Sequence, residues 1–214
     1  MKTRHLRLGL CGLALTVMLA GCATKPYDYT NFRAHPPRSI LVLPPLNEST
    51  AIEGTYGYLS TVTMPLAEMG YYVYPVVVVD QFMKENGLPT AGEMHQAPLD
   101  KIRDIFGADA VLYVTLKQYG TKYQVINSAT IVTLYAKLVD TQTGLVLWEG
   151  NATAQQNSSG SGNIFADLVV AAVSQAVNSS TDQAHDVSRM ANTMLLTPKD
   201  RGLLYGPYCP KNKQ

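Results

Sequence analysis

Charge is scarce in this 214-residue sequence, with only 15% of residues charged against 46% hydrophobic, and it holds three cysteines, four histidines and one tryptophan. It shows neither a heptad pattern nor an internal repeat. These shortages exclude disordered, collagen-like, coiled-coil and disulfide-scaffold chains and leave one globular domain of ordinary size. Net charge is +1 overall. Without residues 1–21, which carry Lys2, Arg4 and Arg7 and no acid, 14 basic residues face 16 acidic ones, a balance of about −2. A nucleic-acid binder needs a basic surface, so that class is excluded.

Chemistry-bearing residues are equally sparse. Beyond the first 21 residues the histidines are His35, His95 and His185, none in a Gly-x-Ser-x-Gly setting, so no base stands beside a nucleophile. Asp182 and His185, at i and i+3 of a late helix, form the one close pair of potential metal ligands, and a solvated helix face explains them better. Gly160-Ser-Gly162 lacks the Lys-Ser/Thr of a phosphate loop. Glu48, Glu53 and Asp80 lie near turns, where acids are routine. No catalytic, cofactor or metal residue is assigned, and the chain reads as a non-enzyme without a cofactor.

What the sequence does carry is an address. Met1–Arg7 is basic, Leu8–Ala20 apolar, and Leu19-Ala-Gly-Cys22 follows directly. An apolar stretch of about 13 residues is too short to span a bilayer and suits a cleaved secretory signal. Ala23–Pro37 then turns polar with Pro26, Pro36 and Pro37. It reads as a tether reaching roughly 50 Å at about 3.3 Å per residue, unless Tyr27, Tyr29 and Phe32 dock on the domain. With Cys11 in the signal, Cys209 has no internal partner once Cys22 is modified. In the Pro- and Gly-rich tail 201–214 it is either an intermolecular bridge or a free thiol.

Between these ends, Ser39–Leu43 is an apolar run suited to a central strand, and Gly54–Met69 has helical spacing interrupted by Pro65. Tyr71–Tyr74 reads as a strand, and Val76–Val79 as either strand or buried helix. Asp80–Asn86 is predicted helical, Leu88–Ala97 a loop, and Leu99–Phe106 a helix closed by Gly107. Ala110–Gln118, the stretch Val132–Leu138 and Leu145–Ala154 alternate as three antiparallel strands, the last two joined by a turn at Asp140–Gly144. A helix over 164–177 and a second segment from Ser180, with Gln183 in a capping box, run to about Leu196. The order predicts an α/β fold, a mixed four- to five-stranded sheet sandwiched by helices over residues 38–200. Tyr113, Tyr119 and Tyr135 fall opposite the aliphatic face. They form a partner face for another protein or a second copy, or they are covered by a helix.

The Leu-Ala-Gly-Cys run resembles the bacterial lipobox, which implies diacylglycerol on Cys22, N-acylation after cleavage at Gly21, and an anchor far stronger than one acyl chain gives. Ala23, where Asp is an inner-membrane signal, implies the outer membrane, with the domain facing the periplasm. Gly107-Ala-Asp-Ala-Val-Leu-Tyr-Val114 and Leu138–Gly150, with Asp140-Thr-Gln-Thr-Gly144 before Trp148, resemble the α/β domain shared by the TolB N-terminal domain, CsgG, LpoB and FlgT. With Ile40-Leu-Val-Leu-Pro-Pro45 and Asn47, the chain is similar to a family of bacterial lipoproteins of unknown function that includes a neisserial surface antigen. That resemblance implies an envelope assembly or export role beside a CsgG-like lipoprotein. Activation of a peptidoglycan-synthesis enzyme, or a hydrolase or small-ligand binder, stands as the alternative. A barrel pore needs more alternating strands than this chain has.

Overall fold

The computed structural model describes residues 26–123, 128–157 and 180–213. Its elements run α1 (Thr30–Ala34), β1 (Ser39–Val42), β2 (Leu46–Asn47), α2 (Gly54–Glu68), β3 (Tyr72–Val73), α3 (Val76–Glu85), α4 (Ala91–Met94), α5 (Leu99–Phe106), β4 (Ala110–Gln118), β5 (Thr121–Tyr123), β6 (Ser128–Asp140), β7 (Val146–Asn157) and α6 (Ser180–Leu196), before a 3₁₀ turn at Pro210–Lys213.

The seven strands form one mixed sheet that is five columns wide. β1 pairs in parallel with β3 and β4, and β4, β6 and β7 are antiparallel neighbours. β2 continues β1 along β4 after the Pro44-Pro45 interruption, and β5 continues β4 along β6. The α/β class and the width expected from the sequence are therefore present, with two columns each broken into two pieces.

One face of the sheet carries Ile40, Leu112, Val114, Leu134, Leu138 and Trp148, all buried against Tyr58, Val62 and Leu66 of α2 and Val187, Ala191 and Leu195 of α6. Among the described residues the other face is covered only over β1 and the start of β4, where Leu41, Leu43 and Val111 meet Val79, Met83, Met94 and Ile102 of α3–α5. β1 is buried along its whole length because it has helices on both sides, as its unbroken apolar run requires.

Turn chemistry agrees with the sequence where it was read. Gly107 ends α5 at φ +70° and Gly144 closes the hairpin at φ +73°, conformations that glycine adopts without a Cβ penalty. Asp140 Oδ1 accepts from the backbone N–H of Gln142 and Thr143 and from the Thr143 hydroxyl. Asn47 organises the approach to α2, its Oδ1 accepting from Ser49 and its Nδ2 donating to the Ala51 carbonyl.

Several expectations change. Val76–Val79 is the first turn of α3, set up by Pro75 at its N-cap. Pro65 sits in the last turn of α2, which ends at Glu68. The expected loop 88–97 contains α4, held by a capping box in which Thr90 and Glu93 bond reciprocally, a Thr-x-x-Glu signal present in the sequence. The expected helix over 164–177 lies outside the described residues.

The largest corrections concern the ends. Of the two readings of residues 23–37, a tether or a segment docked through Tyr27, Tyr29 and Phe32, the docked one holds from Tyr27 onward. Phe32 is buried in the core, the Tyr29 hydroxyl donates to the Gly202 carbonyl, and the Tyr27 hydroxyl accepts from the Glu149 N–H at 2.8 Å. The expected flexible tail is likewise packed. Trp148 Nε1 donates to the Arg201 carbonyl at 2.9 Å, Leu203 is buried, and Gly206 and Tyr208 donate to the carbonyls of Met69 and Gly70. Cys209 is a free, buried thiol, so neither the loose-tail reading nor an accessible bridge describes it.

Candidate functional site

The half of the sheet that α3–α5 do not reach is the candidate site. On β6 and β7 this face, uncovered among the described residues, presents Thr133, Tyr135, Lys137, Glu149, Asn151 and Thr153, of which Tyr135 is 37% exposed. A groove of about 420 Å³ runs along its border with the helical layer. Leu46, His95 and Leu99 form one wall, and Tyr113, Tyr135 and Lys137 the other.

Of the three tyrosines expected to share this face, the structure brings two together. Tyr113 and Tyr135 line the groove. Tyr119 does not: the β4/β6 register shifts by one residue between Leu116 and Gln118, and a bulge of one residue turns every later side chain to the opposite face. Tyr119 is consequently buried in the core under α2, against Gly54 and Gly57. The expectation that a helix covers the whole face fails for β6 and β7 among the described residues.

Local contacts fix the groove's side chains. The Tyr135 hydroxyl donates to Glu149 Oε2 at 2.7 Å, which pushes its pKa up to about 12 because a neighbouring carboxylate favours the protonated phenol. The Lys137 ammonium lies 5.5 Å from the centre of the Tyr113 ring, within the range of a cation–π contact. His95 packs edge-on to the same ring at 5.2 Å and its Nε2 lies 2.9 Å from the Pro44 carbonyl. A carbonyl only accepts, so Nε2 carries the proton. Two rings of one strand pair and a lysine thus face an anchored imidazole across a rigid amphipathic groove.

Burial lowers the His95 pKa, outweighing the Pro44 carbonyl, which raises it, while Lys137 lowers it further. The unfolded chain therefore takes up this proton first as pH falls below the ordinary value of 6.5. His95 costs nothing above that value and stability is lost as pH falls through and below it. Thermal melts from about pH 7.5 to about pH 5 should show a steeper loss of Tm for the native chain than for His95→Gln. Equal slopes would remove His95 as a source of acid sensitivity.

The other sequence candidates are dispersed. Glu48 pairs with Lys117 at 2.6 Å and Asp80 with Lys84 at 2.7 Å. His185 lines a separate groove between α2 and α6, and the Asp182 side chain lies outside the described residues. No group of three His, Cys, Asp or Glu side chains gathers at metal-binding distance among the described residues. Sequence reading missed the contribution of His95, Leu46 and Leu99, which reach the groove from three separate elements; no spacing along the chain records that.

A family model described as "Putative lipoprotein GNA1162-like" matches residues 27–208. A relative from Neisseria meningitidis serogroup B, described as "Putative lipoprotein NMB1124/NMB1162", is 43% identical over 203 residues, covering 92% of this chain and 94% of the relative. The crystal structure of lipoprotein GNA1162 from Neisseria meningitidis superposes with a TM-score of 0.55 at 45% identity, over 67% of this chain and 100% of that one. The LpoB C-terminal domain from Salmonella enterica gives a TM-score of 0.40 at 19% identity, over 66% and 92%.

Proposed function

The chain belongs to the GNA1162-like lipoprotein family, and from that premise we propose that it is held at the outer membrane by lipid on Cys22, faces the periplasm, and acts by docking other envelope proteins on the β6–β7 half of its sheet. Leu19-Ala-Gly-Cys22 after an apolar stretch supports the anchor. The observation that carries the docking role is the groove walled by Tyr113, Tyr135 and Lys137. Rigid aromatic side chains with polar tips make contact area at low entropic cost and dominate binding at protein interfaces. The surrounding Glu149, Asn151 and Thr153 supply the polar rim such an interface has. Within this role, the partner is a member of an envelope assembly or export complex, with a CsgG-like lipoprotein as the leading class.

A photo-crosslinking amino acid at position 135, introduced in the lipidated protein in its own envelope, should give discrete adducts. The same residue at Glu85, exposed on α3 and not lining the groove, should not. Tyr113→Ser should reduce adduct formation at position 135 by about tenfold, as loss of one aromatic contact worth about 1–2 kcal/mol requires. Equal adducts from both positions, or none from 135 in a folded chain, would reject the docking face.

A further inference from the structure

Where the body begins relative to Cys22 fixes how it meets the membrane. Four residues, 23–26, separate Cys22 from Tyr27, the first described residue that bonds to the domain, so those two Cα atoms stand at most roughly 17 Å apart. A leash that short admits one end of the domain, the end built from Tyr27, α1 and residues 199–202, to the headgroup layer.

That end has the chemistry of a headgroup site. The two terminal segments enclose a recess of about 630 Å³ lined by Tyr27, Tyr29, Arg33, Lys199, Asp200 and Arg201. Its floor is rigid. The Tyr27 and Tyr29 rings pack tilted at 49°, centroids 4.7 Å apart, the Tyr29 hydroxyl is held by Gly202, and the Arg201 carbonyl is held by Trp148. Arg33, Lys199 and Arg201 are exposed, and none is in an ion pair among the described residues. Asp28, Glu149 and Asp200 are the acids nearby, and Lys25 adds a positive charge in the sequence before Tyr27. Tyrosine at the headgroup level and cations beside an anionic surface are what membrane-facing protein surfaces carry.

We propose that this recess docks on the phospholipid leaflet that holds the anchor and binds anionic headgroups through Arg33, Lys199 and Arg201. The orientation rests on lipidation at Cys22, the reading given above. Thr50 lies beside Lys117 and Gln118 at the far end of β4, five residues or about 17 Å along the strand from Tyr113, the level at which the Tyr27 hydroxyl meets β7.

The test uses the full lipidated chain in vesicles of phosphatidylcholine, with or without phosphatidylglycerol, and nitroxide-bearing lipids as quenchers. Fluorophores are placed at Ala34→Cys on α1 or at Thr50→Cys, both exposed positions. Position 34 should be quenched and position 50 should not, with quenching at 34 increased by phosphatidylglycerol. Arg33→Gln, Lys199→Gln and Arg201→Gln together should abolish that increase, each charge shifting the docked-to-undocked ratio by about fivefold. Equal quenching at both positions, or quenching at 34 that ignores both phosphatidylglycerol and the three substitutions, overturns the proposal. Flotation of the chain with the vesicles, compared with Cys22→Ala, reports the anchor separately. Flotation that does not depend on Cys22 rejects the anchor, whereas flotation that needs Cys22 without the quenching pattern rejects the docked orientation alone.

Discussion

Trp148→Ala should destabilise the protein by about 3–5 kcal/mol, lowering Tm by on the order of 10 °C, measured by thermal melting or calorimetry. Trp148 is fully buried between the sheet and α6, and its ring edge lies against Gly150 so closely that a Cβ there would come within 2.8 Å of Cζ2. Truncation leaves a cavity that this tight site cannot collapse to fill. It also strips the indole N–H from the Arg201 carbonyl, which fastens the C-terminal segment, so the loss should exceed that from shaving an aliphatic residue of the same layer such as Leu138→Ala. Trp148→Phe keeps most of the volume and loses the bond. It should recover more than half of the stability, and a Phe variant as damaged as the Ala variant would show that the hydrogen bond, not the packing, dominates.

Gly70→Ala is expected to be the second costly change, about 2–4 kcal/mol, for a different reason. Gly70 has φ +86°, a conformation that costs any other residue about 1–2 kcal/mol. In addition, a Cβ at this position would stand 2.1 Å from the backbone nitrogen of Cys209 and 2.6 Å from its Cα. Backbone cannot yield as the tip of a side chain can. The segment 206–209 must move, breaking the bonds from Gly206 to Met69 and from Tyr208 to Gly70. The Cys209 thiol reports this directly: buried in the native chain, it should react slowly with a thiol reagent, and at least tenfold faster in Gly70→Ala at the same temperature. A variant with native Tm and native thiol reactivity would mean that the C-terminal segment is not pinned at Gly70.

The sequence made the middle of the fold legible because alternation encodes a face. Residues 110–116 and 132–138 alternate, and the structure pairs them in that register. The same rule failed at Tyr119 because it has no means of registering an inserted residue; the bulge before Gln118 reversed the parity. The ends were less legible, the N-terminal one left as a choice between a tether and a docked segment, for another reason. Tyr27, Tyr29 and Phe32 dock through one ring in the core and two hydroxyls on backbone groups distant in sequence, and such contacts leave no period to detect. Of the candidate site, the tyrosines of β4 and β6 were readable from alternation, whereas the wall contributed by His95 and Leu99 exists only because α4 and α5 stop short of β6.

The docked N-terminal segment also bears on self-association. β7 is the last strand of the sheet, and its outward Glu149 N–H and Val146 carbonyl are taken by the Tyr27 hydroxyl and the Asn31 amide. An unoccupied strand margin of this kind is a template on which a neighbouring molecule's backbone can nucleate aggregates. Residues that look like mere cable between lipid and globule thus act as a selvedge, sewing up the margin of the cloth where it would otherwise fray into its neighbours.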